Sequence, residues 1–90
     1  MRVEYLSSYD RSFKKQDPAI QSQAIEAIDK LLTYFQTREK AIGLGLRLLR
    51  GPYWEIRVGL STRILFQLDG DLLAFILIGN HNDIRRFIRQ

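Results

Sequence analysis

Asp69-Gly70 stands between two apolar runs, Thr62–Leu68 and Leu72–Ile78, and this arrangement restricts the fold more than any other feature of the chain. Asp-Gly readily supplies the positive-φ positions of a tight hairpin turn whose twist matches that of its flanking strands, so the two runs read as an antiparallel pair. The same punctuation recurs upstream. Gly51-Pro52 separates Leu46–Arg50 from Tyr53–Val58, and Gly59-Leu60-Ser61 separates Tyr53–Val58 from Thr62–Leu68. These four successive short runs predict a mainly antiparallel sheet. The last of them, Leu72–Ile78, is apolar at every position, as suits a central strand covered on both faces.

The first half follows a different period. Val3–Ser7 is a short strand candidate, and Ser8 is a candidate cap for a short helix to about Lys15, with Tyr9 and Phe13 one turn apart on its buried side. Asp17-Pro18 marks a helix start, with Asp as N-cap and Pro at the first helical position. From there Ile20, Ala24, Ile28, Leu31, Leu32 and Phe35 recur at helical spacing, which predicts one long amphipathic helix ending near Arg38. Gly43-Leu44-Gly45 is a connector; it lacks the third glycine or the Lys-Ser/Thr of a phosphate-binding loop. Gly79-Asn80 leads into a terminal helix with Ile84, Phe87 and Ile88 as its apolar stripe. The expected class is α+β: two N-terminal helices forming a hairpin on a mainly antiparallel sheet, closed by a short C-terminal helix. Ninety residues suffice for one core, so 1–90 is expected to be a single domain.

Side chains alternate along strands, and parity then sorts the middle of the chain into faces. Trp54, Ile56 and Val58 share one face, opposite Tyr53, Glu55 and Arg57; Ile64, Phe66 and Leu68 share another, opposite Arg63, Leu65 and Gln67. A three-residue turn at 59–61 sets Val58 against Thr62, Ile56 against Ile64 and Trp54 against Phe66, uniting the apolar sets beneath the long helix. A turn of even length would mix the faces. The same register sets Arg57 directly across from Arg63, with Glu55 two positions away. Like charges in cross-strand positions destabilise a sheet by about 0.2–1 kcal/mol, so folding alone does not favour the pair.

Charge layout points the same way. Residues 1–45 carry seven Lys and Arg against six acids; residues 46–90 carry seven basic residues, all arginine, against four acids. Lysine occurs freely in the first half, and an arginine-only second half suits planar contacts with phosphate or carboxylate. Arg47, Arg50, Arg57 and Arg85 are the candidate phosphate contacts. His81 lies just past the last strand, where a side chain can overhang the sheet. Glu55, Arg63 and His81 are the candidate catalytic set, because RNA cleavage through its own 2′-OH needs a base, a cation at the phosphate and an acid for the leaving 5′-oxygen. The lack of cysteine removes thiolate ligands and thiol nucleophiles, and a single histidine removes any His-rich metal site, so no metal or cofactor is expected. No apolar run is long enough to span a bilayer, and MRVEYLSSYD lacks the apolar core of a secretory signal, which predicts a cytoplasmic protein without a membrane partner.

The stretch LLRGPYWEIRVGLSTRILFQLDGDLLAFILIGNHNDIRRFIR resembles the body of RelE/ParE-superfamily toxins of toxin–antitoxin systems, chiefly through WEIRVG, RILF and GNH. The resemblance implies a ribosome-dependent mRNA endoribonuclease that cleaves without metal to a 2′,3′-cyclic phosphate. It puts Arg57 and Arg63 at the scissile phosphate. Glu55 stands where YoeB-like members use a general base and RelE has lysine. His81 stands near a catalytic arginine or histidine position, and Phe87 stands where RelE has a functional tyrosine, so it is read here as core filler. The implied partners are a small acidic antitoxin, with a toxin–antitoxin heterotetramer, together with the ribosome and mRNA. ParE-like relatives instead poison gyrase, and an inactive antitoxin-binding relative is a third alternative.

Overall fold

The computed structural model describes residues 1–39 and 42–89. Its element order is β1 (Arg2–Tyr5), α1 (Ser7–Lys14), α2 (Pro18–Thr37), β2 (Arg47–Arg50), β3 (Tyr53–Val58), β4 (Thr62–Asp69), β5 (Leu72–Asn80) and α3 (His81–Ile88). The five strands form one sheet in the order β1-β5-β4-β3-β2. All neighbours are antiparallel except β1, which pairs parallel to β5. The α+β class expected from the sequence is therefore the one observed. No described helix is long and apolar enough to cross a membrane.

The β3–β4 register is the one that parity required: Val58 faces Thr62, Ile56 faces Ile64, Trp54 faces Phe66 and Arg57 faces Arg63. One face of the sheet takes α2. Ala24, Ala27, Ile28 and Leu31 of the helix bury against Ile56, Val58, Ile64, Phe66, Leu73, Phe75 and Ile78, with Tyr9 of α1 in the same cluster. Each fully buried Leu, Ile or Phe here contributes about 1.5–3 kcal/mol relative to exposure. Asp17 caps α2 by accepting a hydrogen bond from the Ile20 N–H at 3.0 Å, next to Pro18 at the first position.

The opposite face takes α3. Leu65, Ile76 and Ile84 form a second buried cluster, joined by Leu49, Tyr53, Leu77, Phe87 and Ile88. Phe87 meets Tyr53 edge-on at 5.5 Å, so it is the packing residue expected from its stripe. Two sheet irregularities feed this cluster. In β5 the pairs Leu65–Leu77 and Phe66–Phe75 leave Ile76 as an inserted residue, and in β2 the pairs Leu48–Trp54 and Arg50–Tyr53 leave Leu49 likewise. Ile76 and Leu77 thereby both turn toward α3, while Ile78 returns to the α2 side.

Ends of several elements differ by a residue or two from the sequence reading, and the differences around β1 and at the end of β5 have consequences. The first strand stops at Tyr5, and α1 starts at Ser7 with Leu6 as its uncapped N-terminal residue. Ser8 is thus inside the helix, and its hydroxyl serves a different partner: Ser8 Oγ donates to the Ile76 carbonyl at 2.6 Å. One helical turn on, Ser12 Oγ accepts from the Ile78 N–H at 3.0 Å and donates back to α1 carbonyls. Where β1 ends, these two serines take over the edge of β5 and satisfy the backbone groups around its bulge. The last strand also runs two residues further than its apolar pattern, to Asn80, which places His81 directly after it.

Ser12→Ala leaves the Ile78 N–H without its acceptor beside the core. Urea unfolding of this variant is expected to show a loss of about 1–2 kcal/mol, with a smaller loss for Ser8→Ala, whose carbonyl partner tolerates being unpaired more readily.

Candidate active site

Glu55 lies in the middle of β3 on the α3 face and is 4% exposed, the one charged residue in the described core. Its Oε2 stands 3.6 Å from Arg47 Nε of β2 and 3.7 Å from Arg63 Nε of β4. Both arginines are cross-strand neighbours: Arg47 is directly opposite Glu55 in the β2–β3 ladder, and Arg63 lies diagonally across in β4. Glu55 Oε1 is buried and meets no donor among the described residues. The carboxylate is thus gripped by one oxygen and bare at the other.

Arg63 is largely enclosed, with its side chain 19% exposed, and its Nη1 also donates to the Thr62 carbonyl at 3.1 Å. Arg47 is mostly in solvent at 62%. The Arg63 arm of the clamp therefore contributes more than the Arg47 arm, since exposed ion pairs contribute about 0–1 kcal/mol and enclosed ones are costly to break.

Beside Glu55, α3 closes a cavity of about 250 Å³ lined by Arg47, Leu49, Glu55, His81, Ile84, Arg85, Ile88 and Arg89. His81, Arg85 and Arg89 follow one another at four-residue spacing, so all three share the helix face turned to this space. The helix start is fixed by a capping box: Asn80 Oδ1 accepts from the Asp83 N–H and Asp83 Oδ2 accepts from the Asn80 N–H, each at 2.9 Å. Gly79, opposite Arg63 in the ladder, permits this approach, because a Cβ there would lie 2.5 Å from Asp83 Oδ2. Asp83 also pairs with Arg86, which directs that arginine away from the cavity face.

The candidate residues separate into groups. Glu55, His81, Arg47 and Arg85 line one cavity, and Arg63 reaches it through Glu55. Arg50 is engaged elsewhere, its Nη1 donating to the Ile88 carbonyl at 3.3 Å near the end of α3. Arg57 shares the ladder face with Arg63, yet its side chain runs beside Gly45 and lines a separate cavity with Glu26 and Lys30. The connector produces this: Leu44 accepts from the Arg57 N–H at 2.9 Å, and Gly45, at φ +64°, would place a Cβ 2.9 Å from Arg57 Cβ. Arg89 was missed by the sequence reading. Its signal was present in the His81-Arg85-Arg89 spacing, overlooked because the apolar stripe Ile84, Phe87, Ile88 set the helix phase.

This arrangement offers a cationic recess for a phosphate, a carboxylate oxygen open to a donor, and an imidazole at the rim. No family model matches the sequence, and no curated protein matches it. Solved structures do match, and they define the fold as that of RelE/ParE-type toxins. The RelB–RelE antitoxin–toxin complex from Methanococcus jannaschii superposes with a TM-score of 0.70 at 17% identity, over 93% of this chain and 96% of that one. The YoeB/ParE toxin from Agrobacterium tumefaciens gives 0.68 at 18% identity, over 90% and 99%. The E. coli DinJ–YafQ complex gives 0.67 at 18% identity, over 93% and 98%.

Glu55→Gln removes the negative charge that Arg47 and Arg63 share. The expected result in urea unfolding is a loss of about 1–3 kcal/mol, whereas Arg47→Ala is expected to cost less than about 1 kcal/mol.

Proposed function

We propose that this chain is the toxin of a toxin–antitoxin system and acts as a ribosome-dependent mRNA endoribonuclease. The observation that carries the reading is the bare Oε1 of Glu55, a buried acceptor in a cavity whose other polar side chains are His81 and arginines. A buried acceptor left without a donor costs about 1–3 kcal/mol, so folding stability does not explain its retention. A ribose 2′-OH entering the recess supplies the donor.

In this scheme Glu55 Oε1 takes the 2′-OH proton as the 2′-oxygen bonds to phosphorus. Arg63, Arg85 and Arg89 balance the charge gathering on the phosphoryl oxygens, and Arg47 with Arg63 holds the carboxylate so that one oxygen stays open. The P–O5′ bond breaks, and the imidazolium of His81 gives its proton to the leaving 5′-oxygen. The products are a 2′,3′-cyclic phosphate and a 5′-hydroxyl. No metal or other cofactor takes part. Arg57 and Arg50, placed away from the recess, serve the flanking RNA backbone.

The partner proposed for the resting protein is a small acidic antitoxin, in a heterotetramer of two toxins and two antitoxins. Support comes from the net charge of +4, from the cationic recess, and from fold neighbours crystallised as antitoxin–toxin complexes. The ribosome and its mRNA are the proposed target, reached in the cytoplasm.

Induction of the chain in cells without its antitoxin, followed by mapping of mRNA 5′ ends, tests the reading. Codon-phased cleavage is expected, reduced at least ~100-fold in Arg63→Ala and Glu55→Gln and ~10–100-fold in His81→Ala and Arg89→Ala. Arg57→Ala is expected to lose less. Growth arrest with intact mRNA and inhibited DNA supercoiling would replace the nuclease with a gyrase poison; neither effect would leave an inactive antitoxin-binding relative.

A further inference from the structure

The outer edge of β1 is unpaired in the sheet, since β1 is the terminal strand and its one neighbour is β5. Its backbone polarity follows from its ladder. Arg2 N–H bonds to the Asp71 carbonyl at 2.7 Å and Leu6 N–H to the Phe75 carbonyl at 3.0 Å, so Arg2, Glu4 and Leu6 direct their backbone groups inward to β5. Val3 and Tyr5, between them, direct N–H and C=O outward. All four β1 residues are exposed; the strand is short and half of it is charged, but it has no proline, no bulge and no lysine, and its two charges are of opposite sign.

We propose that this edge pairs with the same edge of a second copy, antiparallel about a two-fold axis through Val3. The register is selected by two constraints. Outward-facing residues must lie opposite outward-facing residues, which leaves four two-fold registers with the axis in the strand: Arg2 against Arg2, Glu4 against Glu4, Arg2 against Glu4 of the other copy, or Tyr5 against Tyr5, the last setting Glu4 against Leu6 with no opposite-charge pair. The first two place like charges in contact on adjacent strands. The third makes the same Arg–Glu pair twice, once on each side of the axis, with Val3 exchanging two hydrogen bonds with Val3 of the second copy. Arg2 also bonds Asp71 Oδ1, and a guanidinium with five donors serves both carboxylates.

The side chains agree with the backbone. Val3 and Tyr5 point to the face of the sheet opposite Arg2 and Glu4, and Tyr5 stacks on Phe75 at 5.1 Å. Beside them Tyr5, Tyr9, Phe13, Ile25 and Ile28 line an open groove, with Ile25 62% and Tyr5 47% exposed. The two-fold sets Val3 against Val3 and Tyr5 against Met1 of the other copy, so the exposed apolar patches merge on one side of a ten-stranded sheet. This inference stands independently of the nuclease reading, since no residue of the Glu55 recess takes part.

Sedimentation equilibrium of the purified full chain tests it. The weight-average mass is expected to rise with concentration from one chain toward two. Val3→Pro deletes an outward N–H without touching the β5 ladder, and is expected to leave a monomer. Glu4→Arg sets arginine against arginine, and is expected to weaken dimerisation by at least about tenfold. Arg2→Glu combined with Glu4→Arg restores the opposite-charge pairs and is expected to recover the dimer. Circular dichroism confirms the fold of each variant. A chain that stays monomeric at every concentration overturns the proposal, and so does a dimer indifferent to Glu4→Arg.

Discussion

The phase of β3 against β4 governs where everything else goes. Because three residues turn the chain at 59–61, Ile56, Val58, Ile64 and Phe66 lie on one side and Glu55, Arg57, Arg63 and Leu65 on the other. A shift of one position would send arginines into the core beneath α2 and strip that helix of its apolar floor. The cost of the chosen phase is a pair of arginines facing each other. Relief comes from outside the hairpin: Glu55 recruits Arg63 from one neighbour and Arg47 from the other, while Gly45 and Leu44 draw Arg57 to the rim. A buried carboxylate holding two cations is thus both the solution to a folding conflict and the centre of the recess.

Glu55 and α3 come together because two strands each carry one residue too many. The bulges at Ile76 and Leu49 rotate apolar side chains toward the helix face of the sheet and give Ile84 and Phe87 something to pack on. Leu65 and Tyr53 face that side by ordinary alternation, and the bulges widen the apolar floor they begin, on which α3 lies beside Glu55. The capping box then sets the angle at which the helix leaves β5, which brings His81, Arg85 and Arg89 over the carboxylate rather than into solvent.

Much of this was legible in the sequence, for identifiable reasons. The β3–β4 register could be read because period-two alternation and turn length together admit only one solution, and Asp17-Pro18 announces α2 by local chemistry alone. The Arg57–Arg63 juxtaposition followed from the same parity. What could not be read depended on contacts between distant segments. Glu55 pairs with Arg47 and not with Arg57 because the connector crosses β3 at Arg57, a matter of where residues 42–45 run. Ser8 looks like a cap in isolation, but its hydroxyl answers a bulge 68 residues away. The Ile76 bulge leaves no mark in an unbroken apolar run, and the Leu49 bulge none in a strand of four residues. The place of Arg89 at the recess was the exception, visible in spacing but masked by a stronger apolar stripe.

The parallel pairing of β1 with β5 joins the first element of the chain to the penultimate one. Arg2 bonds Asp71 across 69 positions, and α1 is hydrogen-bonded to the sheet through Ile76 and Ile78 and packs Tyr9 on Phe75. During synthesis, then, the N-terminal segment has no place to settle until residues 72–80 have left the ribosome, and the long closure makes that step slow compared with forming the β3–β4 hairpin. The recess draws Arg47, Glu55 and Arg63 from the sheet and His81, Arg85 and Arg89 from the C-terminal side of β5, so it too can close only after β5 and α3 have been made.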